Sequence, residues 1–227
     1  TKLILLNNPM NPAAKVFTND ELSFIAELVI AHDAYAVCDE VYEHIAFDGR
    51  GHTPLMTLPG MRDRAIKIGS AGKTFSLTGW KVGYATATPE VLAPIAKAHQ
   101  FVTFTTPPNL QKAVAYGLGK DDAYFQGLSD EMQAKRDRFA VGLNKLGFGV
   151  IDCQGTYFMF ADFRPLGFDG DDVAFCQHIT TEAGVTAVPV SAFYLENGPK
   201  HFVRFCFSKK NEVLDAAIDR LEKHFKG

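Results

Sequence analysis

No run of about eighteen consecutive apolar residues occurs, the length a membrane-spanning helix needs, although 47% of the 227 residues are apolar. Positive charge is not in surplus either: 23 Lys and Arg stand against 26 Asp and Glu, for a net charge of −3. That balance gives no electrostatic case for a nucleic-acid partner, whose binders carry a clustered basic excess. The four cysteines, Cys38, Cys153, Cys176 and Cys206, lie far apart and form no C-x-x-C pair. The lack of such a pair argues against a zinc ribbon. Thiols in such apolar surroundings are expected to be buried in a reducing compartment, so a cytoplasmic location is expected. The seven histidines are scattered, and no metal site is expected. The opening segment Thr1-Lys2-Leu3-Ile4-Leu5-Leu6 has too short an apolar run for a signal peptide. Internal repeats and low-complexity stretches are absent.

What is present is an alternation of short apolar runs with helical patterns. Residues 3–6, 35–38, 65–69 and 82–86 read as buried strands. Between the first two, Thr18-Asn19-Asp20-Glu21 has the form of a capping box. It opens a helix whose apolar face is Leu22, Ile25, Ala26, Leu28 and Val29. Helices follow over 90–105 and up to Leu118, with Pro107-Pro108 breaking between them. Strand–helix alternation of this kind implies an α/β fold, mainly a parallel sheet with helices on both faces. From Asp121 the texture changes. Residues 122–146 form a long charged helix with Arg136, Arg138 and Lys145 on a solvated face, ended by Gly147. Short strands (150–151, 157–163, 202–207) and two helices (170–183, 211–225) then suggest a smaller α+β domain. The expected organisation is 1–120 as part of a larger α/β domain and 121–227 as the smaller one, including the linking helix.

The most informative stretch is residues 70–84, Ser-Ala-Gly-Lys-Thr-Phe-Ser-Leu-Thr-Gly-Trp-Lys-Val-Gly-Tyr. Gly72-Lys73-Thr74 looks like the end of a nucleotide-binding P-loop. That loop requires a further glycine five positions earlier, where this chain has Lys67. The P-loop is excluded on spacing. Lys73 instead follows a strand into small residues, and Lys81 lies in a Gly-Trp-Lys-x-Gly turn. One amine delivered against a flat ligand, with hydroxyls and a second cation for a phosphate, fits a pyridoxal phosphate (PLP) site with a Schiff-base lysine. PLP works best with a carboxylate beside its ring nitrogen. Asp39, at the C-terminal end of a strand where open α/β sheets place ligands, suits that task. Arg204, flanked by Val203, Phe205 and Phe207, is a charge in apolar company that needs a partner. A substrate carboxylate is one such partner, and a structural ion pair is the other.

Residues 70–84 resemble the cofactor-lysine signature of the class I/II, fold-type I, PLP-dependent aminotransferases. Asn8-Pro9-Met10-Asn11-Pro12, Asp39-Glu40-Val41-Tyr42 and Val203-Arg204-Phe205-Cys206-Phe207 resemble three further motifs of that family, in the family's order. Together with Gly155-Thr156-Tyr157-Phe158, the wording is most similar to the kynurenine and methionine aminotransferase branch. The resemblance implies Lys73 as the catalytic residue, with Asn11, Asp39, Tyr42, Ser70 and Lys81 also holding PLP. It implies Arg204 for the substrate carboxylate, and Tyr157, with Phe193 beside it, as candidates for the substrate pocket. It further implies an amino acid and a 2-oxo acid as substrates, with methionine, kynurenine or aromatic donors favoured and N-succinyldiaminopimelate left open. A homodimer is implied as well. A carbon–sulfur β-lyase on the same fold, and a PLP-binding domain of a transcriptional regulator, remain as alternatives. Two positions depart from the family pattern: Ala13-Ala14 replaces Thr-Gly, and Lys81 stands where arginine is usual. The family's phosphate loop and ring-stacking aromatic are not recognisable, so the chain is expected to be the C-terminal portion of a longer enzyme.

Overall fold

In the computed structural model, which describes residues 1–227, the chain divides into two units. The first comprises Thr1–Met10 and Val16–Leu128, the second Asn11–Lys15 and Ser129–Gly227. The division falls inside the long helix, and the segment Asn11–Lys15 belongs to the second unit.

The first unit is built on a four-stranded sheet of β1 (Leu3–Asn7), β2 (Tyr35–Asp39), β3 (Ala65–Ser70) and β4 (Gly83–Thr86), in that order. β1, β2 and β3 are parallel, while β4 runs antiparallel to β3. The helix α1 (Asn19–Ala31) joins β1 to β2, and its N-terminus carries both arms of the capping box between Thr18 and Glu21. Leu22, Ala26 and Val29 of α1 pack with Leu6, Ala36 and Cys38. Each fully buried aliphatic side chain of this kind contributes roughly 1.5–3 kcal/mol. Alternation then leaves Leu3 and Leu5 of β1 exposed, because α1 covers only the face toward which Ile4 and Leu6 point. Residues 3–6 are thus an edge strand with one apolar face uncovered, not a core strand. Leu28 is likewise exposed. β4 is mostly exposed too, which corrects the reading of 82–86 as a buried strand. After β3 come the one-turn helix α2 (Ala71–Thr74), then α3 (Pro89–Val102), α4 (Pro108–Leu118) and α5 (Asp122–Leu146).

The second unit holds an antiparallel sheet of β5 (Gly149–Val150), β6 (Phe158–Asp162), β7 (Val188–Pro189) and β8 (Phe202–Cys206), in the order β5-β6-β8-β7. The helices α6 (Asp172–Glu182) and α7 (Asn211–Lys226) complete it. Its core is rich in phenylalanine: Phe163 and Phe175 stack at 4.2 Å, and Phe139, Phe148, Phe205 and Phe207 are buried. Arg136 does not lie on a solvated face. It is buried, and its Nη1 donates to the Cys153 carbonyl at 2.9 Å. Arg138 does stay on the surface, gripping Asp215 through two hydrogen bonds of 2.6 and 2.5 Å. No helix is long and apolar enough to cross a membrane.

Ala14, at the position where a glycine was expected, adopts a left-handed φ of 58° and is buried. Its carbonyl accepts the N–H groups of Gln154 and Gly155, at 2.9 and 3.1 Å. An L-residue in this region carries about 1–2 kcal/mol of strain, against roughly 0.8 kcal/mol returned by its buried methyl. Ala14→Gly is therefore expected to leave stability unchanged or raise it by up to about 1 kcal/mol, the reverse of its usual cost. Denaturant midpoints check this. A loss above about 1 kcal/mol would mean that methyl packing outweighs backbone strain.

Candidate active site

Asp39 ends β2, and Ser70 ends the neighbouring parallel strand β3, so both stand at the C-terminal edge of the sheet. Asp39 is half-buried, and its carboxylate accepts the Val41 N–H at 3.4 Å. Three residues on, Tyr42 is buried at 2% exposure. Lys73, on α2, holds its Nζ 5.7 Å from the centre of the Tyr42 ring. One cleft of about 310 Å³ is lined by Ser70, Gly72, Lys73, Thr78, Lys81, Val82 and Gly83. The fold therefore brings two ammonium groups and two hydroxyls to a single opening. Gly72 permits this closeness, because a Cβ there would lie 3.0 Å from the Thr78 backbone. Ser76 and Lys81 both adopt left-handed φ values of 55°. Such strain in non-glycine residues is found where a binding loop is held in a special shape.

Next to Asp39, burial pushes the Cys38 thiol up to about 12, so it stays protonated and is no rival nucleophile. Glu40 is buried, accepting the Leu55 N–H at 3.2 Å and meeting His52 Nε2 at 3.0 Å. Glu43 pairs with Lys67 and accepts the Tyr84 hydroxyl at 3.3 Å. Glu40, Glu43 and His52 offer ligand atoms within 4.8 Å of one another, a grouping not visible while the histidines were read as scattered. The Lys67 ammonium already neutralises Glu43, however. The group acts as a hydrogen-bonded brace beneath the turn that carries Asp39 and Tyr42.

In the second unit, Arg204 Nη1 donates to the Asn11 amide oxygen at 2.8 Å. The Arg204 guanidinium carbon lies 3.9 Å from the centre of the Phe158 ring and 4.8 Å from that of Phe193. Val203, Phe205 and Phe207 are buried, while Arg204 is only half-buried. The strand's alternation thus lifts the charge out of the apolar layer its neighbours form. Tyr157 tilts against Phe158, with ring centres 4.6 Å apart. Of the site residues expected from the sequence, Ser70, Lys73 and Lys81 share the cleft, Tyr42 underlies Lys73, and Asn11 meets Arg204. Phe158 as a platform for Arg204 was missed. An aromatic directly after Tyr157, in the strand that pairs with β8, was the available signal.

The sequence profile described as aminotransferase class I and II matches residues 1–221. The chain belongs to the class I and II aminotransferase family. Relatives in this aminotransferase family include a probable N-succinyldiaminopimelate aminotransferase of Mycobacterium tuberculosis, 41% identical over 97% of this chain and 58% of that protein. A kynurenine–oxoglutarate transaminase of Dictyostelium discoideum is 42% identical over 98% of this chain and 56% of its own length. A solved structure of an Escherichia coli methionine aminotransferase superposes with a TM-score of 0.93 at 38% identity, covering 98% of this chain and 58% of that one. The chain therefore spans less than two-thirds of the length of these aminotransferases.

Proposed function

We propose that this chain carries the cofactor lysine and the substrate arginine of a PLP-dependent aminotransferase that moves an amino group between an L-amino acid and a 2-oxo acid. The observation that supports this most is the convergence of Ser70, Lys73, Thr78 and Lys81 on one cleft at the C-terminal edge of the sheet. Two cations and two hydroxyls suit a phosphate, and the absence of a Cβ at Gly72 keeps the cradle open. Bound there, PLP would supply the electron sink that labilises the Cα proton of an amino acid.

In this reading the residues divide the work. Lys73 would hold the cofactor and would carry the proton taken from the substrate Cα. Lys81 and Ser70 meet the phosphate. Lysine offers a point charge where an arginine would grip with two prongs. Asp39 keeps the ring nitrogen protonated. Tyr42 would donate to the ring's phenolic oxygen, a role the family resemblance also gives Asn11, whose amide oxygen accepts from Arg204. Arg204 takes the substrate carboxylate. Phe158, Phe193 and Tyr157 give the substrate side chain aromatic surroundings, which favours methionine, kynurenine or aromatic donors, with N-succinyldiaminopimelate as the alternative. A homodimer and a cytoplasmic location belong to the same proposal, and all four cysteines are free thiols.

The test is conversion of a panel of donors (methionine, kynurenine, phenylalanine and N-succinyldiaminopimelate) by the PLP-supplemented full-length gene product, with a 2-oxo acid as acceptor. Oxo-acid formation dependent on both substrates is expected, fastest with one of the first three. PLP retention with no donor converted would overturn the enzymatic reading. Preference for the succinylated donor would overturn the substrate assignment alone.

A further inference from the structure

Asp172, in the first turn of α6, is fully buried, yet it does not cap the helix. That role is filled by Asp171, whose side chain accepts the Ala174 N–H at 3.0 Å. A buried carboxylate is costly unless its oxygens are hydrogen-bonded, and both oxygens of Asp172 go to one residue. Oδ2 accepts the Ser191 N–H at 2.7 Å, and Oδ1 accepts the Ser191 hydroxyl at 2.9 Å. Ser191 lies in the 3-10 turn Val190–Phe193, directly after the two-residue strand β7. Two residues further on, the Phe193 ring lies against Arg204, as does that of Phe158.

We propose that Asp172 and Ser191 form a latch that positions Phe193 against the Arg204 guanidinium and so limits the directions from which a carboxylate is gripped. Phe193 is 42% exposed, so burial does not hold its ring in place. β7 pairs with β8 over only two residue pairs, Val188 with Arg204 and Pro189 with Val203. Beyond the buried Val190, the anchor next to Phe193 is the doubly bonded Ser191. A ring held against the guanidinium shields that side of it, which favours the in-plane, two-pronged contact that a carboxylate makes. Asp172 and Ser191 are thus positioning residues, since they act through Phe193. The inference rests on the reading of Arg204 as the carboxylate grip.

The experiment follows the Arg204 Nε–H resonance by NMR while the purified protein is titrated with isocaproate, an unreactive carboxylate, or with isocaproamide. In the wild type, isocaproate shifts the resonance and isocaproamide does not. Asp172→Ala and Ser191→Ala raise the isocaproate Kd about five- to ten-fold, the size of one weakened charge-assisted hydrogen bond. Asp172→Asn, which keeps an acceptor for the Ser191 N–H, falls between them and the wild type, and Phe193→Leu reproduces the loss. In the PLP-loaded protein, the same variants raise KM for the amino acid with little change in kcat. If the wild-type resonance ignores isocaproate, the role of Arg204 fails and the latch with it. If it responds but the Kd is unchanged in the Ser191→Ala and Asp172→Asn proteins, the latch alone is overturned. Those two variants decide the matter even where Asp172→Ala does not fold.

Discussion

Lys73→Ala is expected to abolish covalent attachment of PLP and to lower amino-acid turnover by about 10²–10⁴-fold, the contribution typical of a positioned proton carrier. No other lysine lines the cleft with Ser70 and Thr78 except Lys81, which sits at the mouth in a left-handed conformation after the turn Thr78–Trp80. After borohydride treatment, mass spectrometry of the wild type should find the cofactor's mass on the peptide containing Lys73 and on no other. The variant should keep loosely bound cofactor, because the phosphate contacts of Ser70 and Lys81 remain, but should give no reduced adduct. A cofactor mass on Lys81 or elsewhere in the Lys73→Ala protein would reassign the anchor. Retention of turnover would end the aminotransferase reading of this cleft.

The second large effect is expected at Arg204. Each charge-assisted hydrogen bond from a guanidinium to a carboxylate is worth roughly 1.5–3 kcal/mol. Arg204→Leu removes two such bonds and is expected to cut kcat/KM by about 10²–10⁴-fold. Arg204→Lys keeps the charge but loses the fork and its packing against Phe158 and Phe193, for a loss of about ten-fold or more. Both losses should fall mainly on KM for amino acid and oxo acid alike, since each presents the same carboxylate. Amines without a carboxylate supply the control, and the wild type and variants should handle them equally poorly. If the wild type converts such amines as well as amino acids, Arg204 is a structural residue. Its bond to Asn11 then explains its place.

Much of the local structure could be read from neighbouring residues. The capping box at Thr18 and Glu21 and the helix Asp122–Leu146 lie where the pattern placed them, because caps and helical periodicity are set within a few residues. The small residues around Lys73 carried the candidate cleft for the same reason. Departures came where a partner lies far along the chain. Arg136 reads as one more surface charge on a charged helix, yet a carbonyl 17 residues away takes it into the interior. β4 has a strand's composition, but nothing in four residues says that it pairs antiparallel at a sheet edge. The two residues of β7 are too few to show a period.

The sequence by itself determined the family and most of the order of strands and helices, and singled out Lys73 as a candidate, because each depends on residue type and short spacing. Tertiary structure alone decided the rest. It joined Asn11 to Arg204 across 193 positions and packed Phe158 and Phe193 against that guanidinium. It assigned Asn11–Lys15 to the second unit and spent the buried charge of Asp172 on Ser191. These are pairings of groups distant in the chain. They follow from strand register and the need to satisfy buried polar atoms, neither of which a local pattern encodes.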